Sequence, residues 1–144
     1  LTVVAASPDL LALSFEEDTY TGGAHGNARL RYAVLDAGTG RALALTDLLE
    51  AGFEEALRVA GETAFREARG IGPDTPLTDE GFFAATDGRF ELNDNFAPTR
   101  EGMAFHFDAY EINAYAAGPT DLVIPWGEVR EWVRGEGPLA SFLR

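Results

Sequence analysis

Cysteine is absent from the 144-residue chain, and so is lysine. The first absence excludes disulfides, thiolate metal sites and cysteine nucleophiles. The second makes every fixed positive charge an Arg and removes the lysine of a phosphate-cradling P-loop. Histidine occurs only as His25 and His106, with no His-Glu-x-x-His pair and no Asp-rich calcium loop. Neither a metal nor a cofactor is therefore expected. Serine is confined to Ser7, Ser14 and Ser141, none inside Gly-x-Ser-x-Gly, so a serine nucleophile has no frame. No apolar run approaches the roughly 20 residues of a membrane span, and the pattern of a signal peptide is missing. The chain opens at Leu1 rather than Met, which leaves room for a signal or anchor upstream. Basic residues are scarce: 11 face 24 acids, for a net charge of −13. Such a field repels nucleic acid and anionic lipid and favours cationic partners.

What is present suits one domain, residues 1–144. Ten Phe, four Tyr and two Trp supply a core without any covalent staple. Residues 1–6 and 10–15 are apolar around the turn formers Ser7, Pro8 and Asp9, and read as two strands. A Gly-rich loop follows at residues 20–27. Leu30, Tyr32 and Val34 then alternate with Arg29, Arg31 and Ala33, as in a strand with one buried face. A turn at residues 36–40 precedes an expected returning strand over 41–45. Thr46 or Asp47 suits a helix cap, with Glu50 three residues after Asp47. Leu49, Phe53, Leu57, Ala60, Ala64 and Ala68 form a helical stripe, broken near Gly52 and ended at Gly70. Glu54 with Arg58 and Glu62 with Arg66 are spaced as helical ion pairs. Phe82 and Phe83 are expected to dock the following loop onto the core. Phe90 with Leu92 points to one strand, Met103, Phe105 and Phe107 to another, and residues 122–124 to a last short one. Pro98 and Gly102 mark a turn, and Val129, Trp132 and Val133 a short C-terminal helix. Strands come in hairpin-like pairs, which predicts a two-layer α+β fold: a largely antiparallel sheet packed against one long helix.

Four groups of residues could carry chemistry. In the loop Tyr20-Thr21-Gly22-Gly23-Ala24-His25-Gly26, adjacent glycines permit positive φ and His25 could serve as acid, base or ligand. The simpler reading is a structured turn in which His25 hydrogen-bonds the backbone and Tyr20 packs on the core. His106 interrupts an apolar strand where it should face solvent, and residues 93–95 read as a turn. Asp108, Glu111 and Asp121 lie near aromatic residues, as glycosidase carboxylates would, although 24 acids place some pairs together by chance. Tyr110 and Tyr115 suit either a binding platform or a seal over the sheet end.

Two of these segments together resemble an RsiV-type bacterial extracytoplasmic domain of unknown function. The first block is Tyr20-Thr21-Gly22-Gly23-Ala24-His25-Gly26, a strand, then Asp36-x-x-Thr39-Gly40-Arg41. The second is Phe107-x-x-Tyr110-Glu111-Ile112-x-x-Tyr115-Ala116-Ala117-Gly118, then Ile124-Pro125-Trp126. Asn95-Phe96 and Thr99-x-x-Gly102 also match, whereas Ala109, Ala114 and Trp126 depart from Pro, Pro and Tyr in the family. The resemblance implies an exported domain, periplasmic or cell-surface, tethered by a lipoprotein or membrane anchor outside this chain. In an anti-sigma factor such a domain is a receptor for lysozyme. Related domains accompany polysaccharide deacetylase modules, whose catalytic residues lie elsewhere.

The expected function is thus a non-catalytic binding or sensing domain at the cell envelope, recognising a cationic, lysozyme-like protein or a cell-wall glycan. The expected binding residues are Tyr20, His25, Tyr110, Glu111 and Tyr115, on a motif shaped by Gly22, Gly23, Gly26 and Gly118. The rival is a carbohydrate-active enzyme using acids near Tyr110 and Tyr115.

Overall fold

The computed structural model describes residues 1–82 and 89–144. Three strands, β1 (Thr2–Ala6), β2 (Leu10–Thr19) and β3 (Asn27–Asp36), form an antiparallel meander. A second meander holds β4 (Phe96–Pro98), β5 (Gly102–Phe107) and β6 (Thr120–Pro125). Between them lie α1 (Leu45–Leu48) and α2 (Phe53–Arg69); α3 (Trp126–Val129) and α4 (Pro138–Phe142) follow β6. The fold is α+β, but the expected single sheet under one long helix does not hold. There are two three-stranded sheets among the described residues, α2 packs on β6 of the second one, and the other three helices are four or five residues long. The physical reason for the split lies at the edge of β3. Its backbone groups at Leu30 and Tyr32 are taken by the side chains of Asn95 and Asp108, so no strand ladder continues across.

The helix α2 forms between Gly52 and Gly70 as the stripe implies, but it buries Phe53, Leu57, Gly61 and Phe65. Ala60 and Ala64 sit at the margin of that face, Ala68 is exposed and Leu49 lies outside the helix, because the larger Phe65 ring turns the buried face toward itself. Its outer face binds charge in a chain: Arg58 bridges Glu55 and Glu62, and Arg66 shares Glu62. Arg58 therefore pairs with Glu55 and Glu62 rather than with the expected Glu54, one turn spanned in each direction. Ahead of α2, the Asp47 carboxylate accepts the Ala44 N–H at 2.8 Å as the third residue of α1, not as its cap; the Glu50 N–H donates to Trp132 instead.

Several sequence expectations shift for local reasons. The returning strand over 41–45 shrinks to one bridge, Leu35 to Ala42, because α1 begins at Leu45. Phe90 is fully buried yet outside any strand; its ring is held between Phe65 and Phe107 at 4.7 and 5.9 Å. Pro98 sits in β4, an outer strand, where a missing N–H is tolerated. The C-terminal helix divides into α3, a 3-10 turn at Arg130–Trp132 and α4. Phe82 is buried against Phe65 as expected, while Phe83 lies outside the described residues.

Strand β5 runs down the middle of the second sheet and is buried on both faces, not one. Met103, Phe105 and Phe107 share a face with Leu122 and Ile124 of β6 and belong to the common core. The opposite face carries Gly102, Ala104 and His106. His106 is therefore 6% exposed rather than on the solvent side, and the core tolerates it only because two carboxylates meet it. No helix among the described residues is long and apolar enough to cross a membrane.

Candidate functional site

The β2–β3 hairpin projects beyond its sheet, pairing without interruption from Leu10↔Asp36 to Thr19↔Asn27. Its outer half is exposed from Phe15 to Thr19, and the tip is the Gly-rich loop. Gly22 and Gly23 both adopt positive φ, +92° and +113°, a backbone that side chains rarely enter. The loop bends back on itself: the Tyr20 hydroxyl donates to Gly23 O at 3.1 Å, and His25 Nδ1–H donates to Gly26 O at 2.9 Å. Tyr20 does not pack on the core; it is 69% exposed, because its hydroxyl is held by the loop above the sheet.

The loop between β5 and β6 rises to meet this tip. The His25 ring stacks on Tyr115 at 3.7 Å between centroids, with the planes 14° apart. The Tyr115 hydroxyl donates to Gly26 O at 3.0 Å, tying the two loops together. Tyr110 completes the cluster at 5.2 Å from Tyr115 and 6.4 Å from His25. It is more than half exposed and has a φ of +72°, unique among the described non-glycine residues. A Tyr held in the left-handed region with its ring in solvent carries backbone strain without burial to compensate for it, a combination that gathers at ligand-contacting positions. Shallow clefts of about 330 and 460 Å³ flank the rings. Asp18 and Tyr20 line the first; Glu17 and Arg29 line the second. Consecutive strand residues point to opposite faces, so Glu17 and Asp18 put one carboxylate on each side of the platform.

Beneath the platform a polar network fixes the β5–β6 loop to the first sheet. Asp108 accepts the Leu30 N–H at 3.1 Å and pairs with Arg31. Asn95 accepts the Tyr32 N–H at 2.8 Å and donates to Leu30 O and His106 O. Glu111 accepts the Asp108 N–H at 2.8 Å and the Asn93 amide at 2.7 Å, closing the turn that presents Tyr110. From the other side, Arg69 reaches across from the end of α2 to Ala117 O at 2.9 Å, Pro119 O at 3.2 Å and the Thr120 hydroxyl. Gly118, at φ +70°, ends the 3-10 turn Tyr115–Ala117 that this arginine grips.

His106 is the charged centre of the network. Nδ1 lies 2.7 Å from Asp121 and Nε2 3.2 Å from Asp108. Two carboxylates facing two ring nitrogens require both to carry hydrogen, which is the imidazolium form. Burial by itself would lower the His106 pKa, but hydrogen bonding and charge from Asp121 and then Asp108 outweigh it and leave it raised. Asp108 is shifted the other way: burial raises it, while the Leu30 N–H, Arg31 and His106 together hold it below the ordinary carboxylate range. Stabilisation from His106 is complete below its unfolded pKa, about 6.5, and is lost as pH rises through the higher folded value. Stabilisation from Asp108 is present above about 3.9 and disappears as pH falls through the lower folded value. Melting temperature is thus expected to peak in weakly acidic buffer and decline toward alkaline pH. A His106→Gln variant should lose the alkaline decline, and a titration of melts read on both proteins checks it; parallel curves would remove His106 from this role.

Of the residues singled out in the sequence, His25, Tyr110 and Tyr115 come together and Tyr20 stands beside them. Glu111 stays exposed and braces the turn through Asp108 and Asn93. Gly22, Gly23 and Gly118 take the positive φ that shapes both loops, and Gly26 supplies the shared carbonyl. Sequence reasoning missed Glu17, Asp18, Asn95 and Arg69. Arg69 stands in the last helical turn, where a cation suits the helix dipole, so its sequence context offers no sign of a partner some fifty residues away. As for the carboxylates of the rival reading, Asp108 is held ionised, the reverse of what a general acid needs.

A family model described as "Protein of unknown function (DUF3298)" matches residues 46–127, which include Tyr110 and Tyr115 but not the hairpin tip. The structure is similar to the crystal structure of a DUF3298 family member from Bacteroides fragilis NCTC 9343. The TM-score is 0.81 at 25% identity, over 99% of this chain and 55% of that one. It is also similar in fold to a DUF3298 family protein from Pseudomonas aeruginosa PAO1, with a TM-score of 0.70 at 23% identity, over 92% of this chain and 59% of that one. The chain thus spans little more than half the length of either relative. No curated protein matches it.

Proposed function

The chain belongs to the DUF3298 family, and on that premise we propose that it is an extracytoplasmic binding or sensing domain of the RsiV type, non-catalytic, at the bacterial cell envelope. The observation that carries this reading is the stack of exposed His25 on half-buried Tyr115 with exposed Tyr110 beside it, built from two loops far apart in sequence. Aromatic rings presented on a braced backbone are the side chains that dominate protein-recognition surfaces. The proposed ligand is a cationic protein of the lysozyme kind, drawn by a net charge of −13 and met by Glu17 and Asp18 at the rim. A cell-wall glycan stacking on the same rings is the second candidate.

Surface plasmon resonance with hen lysozyme over a salt series tests the reading. Steering predicts an association rate that falls steeply with ionic strength and a dissociation rate that changes little. An equally basic unrelated protein binding as well, or binding that vanishes at moderate salt, would reduce the attraction to charge and remove the receptor reading. The enzyme reading would take its place if peptidoglycan or chitooligomer turnover appeared and was lost on Glu111→Gln or Asp121→Asn.

A further inference from the structure

A cleft of about 720 Å³ lies away from the platform, between β1 with its turn and the C-terminal α4. Three observations converge on it. The strand β1 is outermost in its sheet, and among the described residues the backbone of Thr2–Ala6 bonds only to β2, so one edge is open. That edge carries neither charge nor Pro: the strand reads TVVAA, and Val3 is 60% exposed. Of the usual protections of an exposed edge it has one, a register shift between Val3 and Ala5.

The second observation is charge. Arg31, Arg41, Arg58, Arg66 and Arg89 are each ion-paired. Arg100 and Arg130, which both line the cleft, have no carboxylate partner among the described residues; Arg130 has only a 3.4 Å contact to Leu143 O. In a chain with 24 acids and 11 basic residues, two unpaired guanidinium groups in one cleft make it a local cationic site in an acidic field. The third is shape and polarity: Trp126, Phe142 and Leu143 provide an apolar wall opposite the strand.

We propose that this cleft binds an extended acidic peptide segment of a partner protein. The peptide adds a strand to the open edge of β1, sets its carboxylates on Arg100 and Arg130, and lays its apolar side chains against Trp126, Phe142 and Leu143. Backbone pairing supplies affinity in such strand addition and the flanking side chains supply selectivity, while Arg is the cation best matched to a carboxylate. The rest of the surface repels an acidic peptide, so saturable binding of one identifies a dedicated site. The proposal is independent of the aromatic platform.

Fluorescence anisotropy with a labelled, capped peptide alternating Glu and Val is the test. The expected result is saturable binding that weakens at least tenfold in the Arg100→Gln/Arg130→Gln double variant and in a peptide N-methylated at alternate amides. Tyr110→Gly should leave it unchanged. Both arginines are exposed, so the double variant retains the fold, which its melting curve verifies. Equal binding to the double variant, equal binding of the N-methylated peptide, or no saturation at millimolar peptide each overturns the proposal. So does a dimer of the protein, seen by sedimentation, that the peptide fails to displace.

Discussion

Gly102→Ala is expected to cost about 3 kcal/mol or more, at or beyond the upper end for overpacking a core. A Cβ built there would stand 2.0 Å from Ile124 O, 2.7 Å from Ile124 C and 2.9 Å from Pro125 Cα. All three are backbone atoms of the neighbouring strand, so no rotamer can relieve the clash. Relief requires β5 and β6 to separate at the Gly102↔Pro125 end of their pairing. Those strands carry Met103, Phe105, Leu122 and Ile124 into the core, so the loss spreads beyond the site of substitution. Single-domain stability is about 5–15 kcal/mol in all, which makes a partly unfolded product at 37 °C the expected outcome. Urea denaturation gives the number. Gly61→Ala is the control: the three atoms nearest its Cβ would all belong to the Leu92 side chain, at 2.9–3.0 Å, and none to backbone. The Leu92 side chain, met at both methyls and at Cγ, must shift as a whole, and the gain of about 1 kcal/mol of helix propensity for alanine over glycine offsets part of that, so the loss should be much smaller than for Gly102→Ala.

Asp108→Ala is the second large effect, expected to cost about 3–5 kcal/mol, the range for removing one partner of a buried charge pair. The Asp108 side chain is 11% exposed and serves three groups: the Leu30 N–H, Arg31 and His106 Nε2. Its removal leaves a buried imidazolium with one carboxylate instead of two and an amide at the β3 edge without an acceptor. The first penalty can be reduced by deprotonating His106, so the variant should also titrate differently, with the histidine losing its proton at lower pH than in the parent. Nuclear magnetic resonance of the His106 imidazole over a pH series measures that directly. Asp121→Ala should cost much less. Asp121 also meets His106, but its side chain is 71% exposed, where water replaces much of what is lost.

The contrast between Asp108 and Asp121 shows where sequence reasoning reaches and where it stops. Periodicity located α2, β1, β2, β3 and β5, because an apolar face must be buried whatever it is buried against. It could not place β4, whose three residues are too few for a period, nor predict that β3 would end its ladder on side chains. Asn95 and Asp108 do that work from 63 and 78 residues away, and no local pattern encodes a partner at such distance. The two aromatic loops were legible for a different reason. Adjacent glycines and closely spaced tyrosines demand a local account, and His25, Tyr110 and Tyr115 stand out on that ground alone. Their stacking, the Arg69 strut and the bracing role of Glu111, a residue expected only as a binder, have no local signal.

If the aromatic cluster is the ligand-facing surface, Tyr110→Gly removes an exposed ring from it without disturbing the fold. Glycine suits the +72° φ at this position and no buried contact is lost, so the melting temperature should stay the same or rise, a change within about 1 kcal/mol. The ring, by contrast, is gone. Affinity for lysozyme measured by surface plasmon resonance should fall at least tenfold, about 1.4 kcal/mol, in a protein with an unaltered melt. Unchanged affinity in that same well-folded variant would contradict the account.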